Sequence, residues 1–219
     1  VHRTQALVIA LATLVGVACY DAGNSLYLGA LEKIGLEKRD MLVKRVKNAK
    51  EAQQEAQEQF RDALEEFQSV VAHDGGDLER RYEKLRSEYE ASAEKAEEVR
   101  DRISGIRKVS DKLFREWERE LEEYTDSEMR RISQQQLVQT RERSAELIAT
   151  MERAASRMDP VLTKLKERVL FLKHNLNAQA LGSLAQTSEA LEADVSTLIG
   201  EMETSIAEAD AFIAEMQPS

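Results

Sequence analysis

From Leu42 to Met216 the apolar residues recur three and four positions apart, in long runs broken at a few defined places. That spacing puts them on one stripe of an α-helix and leaves polar side chains around the rest. A first helix is expected over residues 37–72. Its seam runs from Leu42 and Val46 through Gln53, its one polar member, to Phe60, Phe67 and Val70. A second is expected over residues 78–124, in unbroken heptad phase from Leu78 to Tyr124, with Ser92, Ser110 and Glu120 as polar entries. At 1.5 Å per residue it would be roughly 70 Å long, so its second half needs a partner other than the first helix. A third carries Ile148, Met151, Ala155, Met158, Leu162, Leu165, Val169, Leu172 and Leu176. Past Leu176 the phase slips to Leu181, Leu184 and Leu191. The gap of eleven between Val195 and Ile206 suggests a local change of supercoil.

The breaks say how these helices connect. His73-Asp74-Gly75-Gly76-Asp77 is a short turn: its glycines end one helix and Asp77 can cap the next. A loop so short makes the flanking helices antiparallel neighbours. Thr125-Asp126-Ser127-Glu128 has the spacing of a capping box, with Thr125 expected as the cap. Pro160 interrupts the third run, but the seam keeps phase across it, which predicts a kink or a restart in nearly the same direction. Asn175, Asn177 and Gly182 sit at the phase slip and mark a turn into a fourth helix. The expected fold is all-α, an elongated antiparallel coiled-coil bundle of three to four long helices over residues 37–217.

Composition agrees with that fold and narrows the chemistry. Charged residues make up 33% of the chain, aromatics 5%, and prolines number two. The net charge of −10 argues against nucleic acid as a ligand, because phosphate binding needs a basic face. The two signs are interspersed, as on solvated helix surfaces. Beyond the N-terminal stretch only His73 and His174 could serve as imidazoles, and their spacing fits no zinc site. No glycine-rich phosphate loop and no nucleophile–base set is present. An enzyme is therefore not expected, and neither are catalytic residues, cofactors or metal ligands.

The first residues differ from the rest. His2 and Arg3 precede an uncharged stretch, Ala6 to Ala18, too short to span a bilayer but suited to the core of a secretory leader. It ends at Val17-Ala18-Cys19, and Cys19 is the one cysteine in the chain. Small residues before a lone cysteine suggest a lipoprotein leader over residues 1–18 and lipidation of Cys19, although Gly16 stands where Leu is usual. Ordinary cleaved secretion and an uncleaved anchor remain open. Residues 19–36 are then a glycine-bearing tether with a short helix around Leu26 to Ile34. The expected place is the periplasm, held at a membrane by the lipid. The outer membrane is favoured over the inner, because Tyr20 rather than an Asp follows the cysteine directly.

Two segments could carry recognition. In Val169-Leu170-Phe171-Leu172 four successive apolar residues cover every side of a helical turn, followed at once by Lys173, His174, Asn175 and Asn177. One reading is a bundle core with a polar asparagine layer that sets register. The other is a partner or ligand surface. Phe114 and Trp117 lie among charged residues: Trp117 falls on the seam and Phe114 beside it, as core or as an interface anchor.

Gly35-Leu36-Glu37-Lys38-Arg39-Asp40, Phe67-Gln68-Ser69-Val70-Val71, Asp74-Gly75-Gly76-Asp77-Leu78, Met158-Asp159-Pro160-Val161-Leu162 and Phe171 to Ala178 resemble domain-of-unknown-function family 2959. The resemblance covers about Cys19 to Ile213. It implies an exported helical protein of Gram-negative bacteria and assigns no activity, cofactor or catalytic residue. The expected role is a non-catalytic spacer or docking scaffold at the envelope with a protein partner. The alternative is a binding module that holds a lipid or exported protein near residues 169–178. Heptads do not distinguish pairing within a chain from pairing between chains, so a homo-oligomer is a third expectation.

Overall fold

The computed structural model describes residues 12–72 and 77–216, with side chains over 38–72, 77–177 and 179–216. Its elements are six helices: α1 (Ala12–Val71), α2 (Leu78–Glu120), α3 (Ser127–Ser156), α4 (Met158–His174), α5 (Ala178–Ala185) and α6 (Ser188–Met216). The fold is an all-α bundle, with no strand among the described residues. The chain divides into two compact units, Val1–Met41 and Leu42–Ser219. Residues 1–11 of the expected leader, and the side chain of Cys19, lie outside what is described. Residues 12–37 are helical in backbone throughout, a longer helical stretch than the short one expected at Leu26 to Ile34.

In the second unit the long helices pack antiparallel around a ring. Lys84 meets Glu66 at 2.5 Å and Gln59 donates to Glu88 at 2.7 Å, so α1 and α2 are antiparallel. Arg107 meets Glu152 and Arg141 meets Glu118, which sets α3 antiparallel to α2. Arg143 meets Glu215 at 3.1 Å, Arg157 meets Glu201 at 3.7 Å, and Lys164 meets Asp194, which sets α6 against α3 and α4. Lys50 to Asp210 and Gln68 to Glu192 close the ring by setting α6 against α1. Most of these pairs are solvated and contribute little stability individually, but they mark the register in which the helices pack. Leu42 and Met216 lie at one end of this ring. Val71, Leu78, His174 and Ser188 lie at the other.

The expected seam of the first helix is buried without exception, from Leu42 to Val70. Phe60, Phe67 and Phe212 are completely buried large side chains, each stabilising by about 1.5–3 kcal/mol through apolar burial. Gln53 is also fully buried; its Oε1 accepts from the Ser205 hydroxyl of α6 at 2.9 Å, and its Nε2 has no hydrogen-bond partner among the described residues. Ser110 and Ser144 pair in the same way between α2 and α3, at 3.0 Å.

Ser205 corrects the expected supercoil change. The buried row of α6 runs Leu198, Met202, Ser205, Ala209, Phe212 in regular three–four steps, and Ile206 is only half-buried. The apparent gap arose because a polar residue holds a seam position.

The junctions follow local chemistry. Asp77 caps α2 by accepting from the Arg80 amide at 3.1 Å; residues 73–76 of that turn lie outside the described residues. At the second reversal the cap is Asp126, which accepts from the amides of Glu128 and Met129 at 2.8 and 3.1 Å. Thr125 is not the cap, and Glu128 pairs forward with Arg131 instead of reaching back. Between α3 and α4 only Arg157 intervenes, with helical φ −75° and ψ −17°. Pro160 falls in the first turn of α4, where a missing amide costs nothing. Both helices keep α2 and α6 as neighbours, so direction is preserved across the break. The turn at Asn175 separates α4 from α6 as expected, with the short α5 inserted and Gly182 inside it.

Candidate partner-binding surface

The two segments with recognition character have opposite fates. In α4 the inward row is Met158, Val161, Leu165, Val169 and Leu172. Val169 and Leu172 therefore enter the core, at 5% and 1% exposure, while Leu170 and Phe171, one and two residues on, point outward at 48% and 39%. Leu176, just past the helix, is 40% exposed. Four apolar residues in a row thus split into a buried pair and an exposed pair. The exposed side chains sit at the end of the ring where α4 stops.

The polar residues that follow do not form a register layer in the core. Asn175 closes α4: its amide donates to the Leu172 carbonyl at 3.0 Å and its Nδ2 to the Phe171 carbonyl at 2.9 Å. Asn177 opens α5, its Oδ1 accepting from the Ala180 amide at 3.0 Å. Lys173 and His174 are exposed in the last turn of α4, where positive charge complements the partial negative charge of a helix C-terminus. Among the described residues, pairs of buried polar side chains meet between helices at Gln53–Ser205 and Ser110–Ser144. Gln53 and Ser110 are visible in the sequence as polar entries on apolar seams. Their partners Ser205 and Ser144 carry no such mark.

A further polar group at this end carries no sequence signal. Arg168 is buried, yet among the described residues no carboxylate forms an ion pair with its guanidinium. It donates to the carbonyls of Lys164 at 2.8 Å and Thr187 at 3.4 Å, lies 5.5 Å from the ring centre of Phe67, and leaves Nε without a partner. Burial pushes its pKa below the usual arginine value, although nearby Glu167 and Asp194 pull the other way. An arginine so placed joins α4, α1 and the α5–α6 turn behind the exposed Leu170 and Phe171.

Phe114 and Trp117 lie about 40 Å away along the bundle, because α4 ends beside the N-terminal part of α2. Phe114 is 6% exposed and covered by the Arg141 guanidinium, 5.3 Å from its ring centre. Trp117 is half-buried, and its Nε1 donates to Ser133 Oγ at 2.8 Å, which ties α2 to α3. Beside them a groove of about 590 Å³ runs between α2 and α3, lined in part by Phe114, Ala145, Ile148 and Ala149. The structure therefore groups Phe171, Lys173, His174, Asn175 and Asn177 at one end, and sets Phe114 and Trp117 apart from them.

Among the described residues no group of three or more His, Cys, Asp or Glu could hold a metal ion, and no helix is long and apolar enough to cross a membrane. No curated protein and no solved structure matches the chain. Residues 27–216 match the family model described as protein of unknown function (DUF2959), and the chain belongs to that family.

Proposed function

We propose that this protein is a lipid-anchored, non-catalytic periplasmic scaffold whose helical bundle spaces or docks a partner at the cell envelope. One observation carries the reading. The chain enters the ring at the Leu42 end, whereas Leu170, Phe171 and Leu176 are exposed at the opposite end, about 45 Å away by helix rise. A bundle built so can be held at one end and present an apolar, partly basic tip at the other. The leader-like stretch before Cys19 supports the anchor, and Tyr20 after it supports the outer membrane. Labelling cells with a palmitate analogue tests the anchor. Wild type should incorporate label and Cys19→Ala should not, and an unlabelled wild type sinks the anchored reading.

The exposed tip favours a second reading of the same bundle, as a module that holds an exported protein or lipid client at residues 169–178. In-cell crosslinking followed by identification of attached molecules separates the two. A client captured by wild type and lost in Phe171→Ala, at unchanged helix content, supports the client-holding module. A protein partner that crosslinks elsewhere on the bundle supports the scaffold.

A further inference from the structure

Leu170 stands on the outward face of α4, opposite the buried row. Lys166 lies one helical turn before it, and Lys173 and His174 one turn after it, while Phe171 flanks His174. All five side chains are exposed. Neither lysine has a carboxylate three or four residues away on α4, and neither forms an ion pair among the described residues. Three of the eight exposed large apolar side chains among the described residues, Leu170, Phe171 and Leu176, fall within these few positions, so the patch is a concentration and not chance exposure.

The neighbouring helix continues this surface. Arg100 of α2 meets Asp159 of α4, and because the two helices are antiparallel Tyr89 comes level with Leu170. Tyr89 and Tyr82 fall on the face of α2 that carries Arg100, and both are half-buried. The Arg86 guanidinium lies 5.9 Å from the Tyr82 ring centre. The acids beside the patch are Glu167, exposed on the Phe171 side, and Glu90, which pairs with Arg86 at 3.7 Å. Leu170 and Phe171 project from a convex helix, so they do not form the groove that a partner helix needs. Apolar tips among free lysines and half-buried tyrosines suit a fluid anionic surface instead. The tips enter the headgroup region, the lysine ammonium groups meet phosphates, and tyrosine rings rest at the boundary. The chain as a whole carries −10, so the rest of its surface is repelled and this flank sets the approach.

We propose that this flank of α4 docks on a bilayer surface rich in anionic lipid. Leu170 and Phe171 enter the interface, Lys166 and Lys173 bind headgroup phosphates, and Tyr82 and Tyr89 lie at the edge of the contact. The inference rests on the reading of residues 169–178 as a recognition surface and names its occupant.

The full chain with Cys19→Ser, which removes any thiol-linked lipid, tests it. Leu170→Cys carries an environment-sensitive nitrobenzoxadiazole dye and is mixed with vesicles of equal parts phosphatidylcholine and phosphatidylglycerol. The dye should brighten and be quenched by nitroxide-bearing acyl chains there, and should do neither on phosphatidylcholine alone. The same dye at Thr204→Cys, exposed midway along α6, should stay in water on both. Lys166→Glu with Lys173→Glu should weaken the response at position 170 by at least about tenfold, and Lys166→Arg with Lys173→Arg should preserve it. A dye at position 170 that stays in water on the mixed vesicles overturns the proposal. Equal quenching at positions 170 and 204, or charge reversal without effect, also overturns it. In-cell crosslinking at position 171 judges the recognition reading separately. A protein captured there, with position 170 in water on vesicles, leaves that reading standing and removes the bilayer as occupant.

Discussion

The end of α4 and the second half of α2 look alike as sequence. Each is a short apolar and aromatic stretch among basic residues. In the bundle Phe114 is covered by Arg141 and its ring belongs to the α2–α3 contact, while Phe171 and Leu170 stand in solvent. The difference is not in the residues. Phe114 lies between two helices that run on past it, so neighbours are available on its flank. Phe171 lies one residue off the inward row of a helix about to end, where no neighbour reaches its outer face. An aromatic becomes core or surface according to what lies opposite.

The sharpest way to break this comparison is to remove both rings. Phe114→Ala should destabilise the protein by about 3 kcal/mol, the cost of emptying a packed aromatic site. That corresponds to a thermal midpoint lower by roughly 6–12 °C for a chain of this size. Phe171→Ala should cost clearly less, about 1 kcal/mol, because 39% of that residue is already exposed. Equal losses in thermal denaturation would erase the distinction.

Next in size are the buried polar pairs. Ser205→Ala leaves Gln53 buried without its hydroxyl partner and should cost about 1–3 kcal/mol, the penalty of an unsatisfied buried group. Gln53→Leu combined with Ser205→Ala should recover most of that loss, since removing both polar groups removes the penalty. A double-mutant cycle in urea measures the coupling, and purely additive effects would show that the two side chains do not stabilise each other.

Smaller is the tie that holds Trp117 against α3. Ser133→Ala removes the acceptor of the indole N–H and should cost about 1 kcal/mol. Near-ultraviolet circular dichroism of the single tryptophan should weaken with it, while the same spectrum of Phe171→Ala should not change.

The smallest effect is acid sensitivity of the surface pairs. Hydrogen bonds from Arg102 and Lys95 hold the Glu98 carboxyl below its ordinary value of 4.5, and Arg131 does the same for Glu128. A carboxylate with a lowered folded pKa adds stability above its unfolded pKa and loses it as pH falls through the folded value. The thermal midpoint should therefore be insensitive to these groups above about pH 5 and decline below 4.5. Glu128 is exposed and Glu98 partly so, and solvent screening keeps the loss small. Glu98→Gln should flatten part of that acid limb, and an unchanged limb would remove Glu98 from it.

How much of this was legible beforehand differs by element. The α1 seam was readable to the residue, because its apolar positions repeat without interruption and its one polar member stands out. The restart at Pro160 was readable because phase survived it. The α6 row differs from the periodic expectation at Ile206, because Ser205 occupies a seam position that its polarity disguises. Thr125 and Asp126 are both residue types that cap helices, and the backbone geometry selects Asp126. Within the candidate surface, the exposure of Phe171 and the capping roles of Asn175 and Asn177 depend on where α4 stops. Arg168 had no signal, because an arginine on a helix is ordinarily solvated and only Phe67 and Thr187, brought from distant parts of the chain, make it buried.

Periodicity alone determined that the chain is helical, where its helices turn and which stripe of each is apolar, because those depend on contacts between residues a few positions apart. Tertiary packing decided which serines are core, which aromatics are surface and which helix each stripe faces. Those outcomes depend on residues scores of positions away, whose distances the local pattern does not encode.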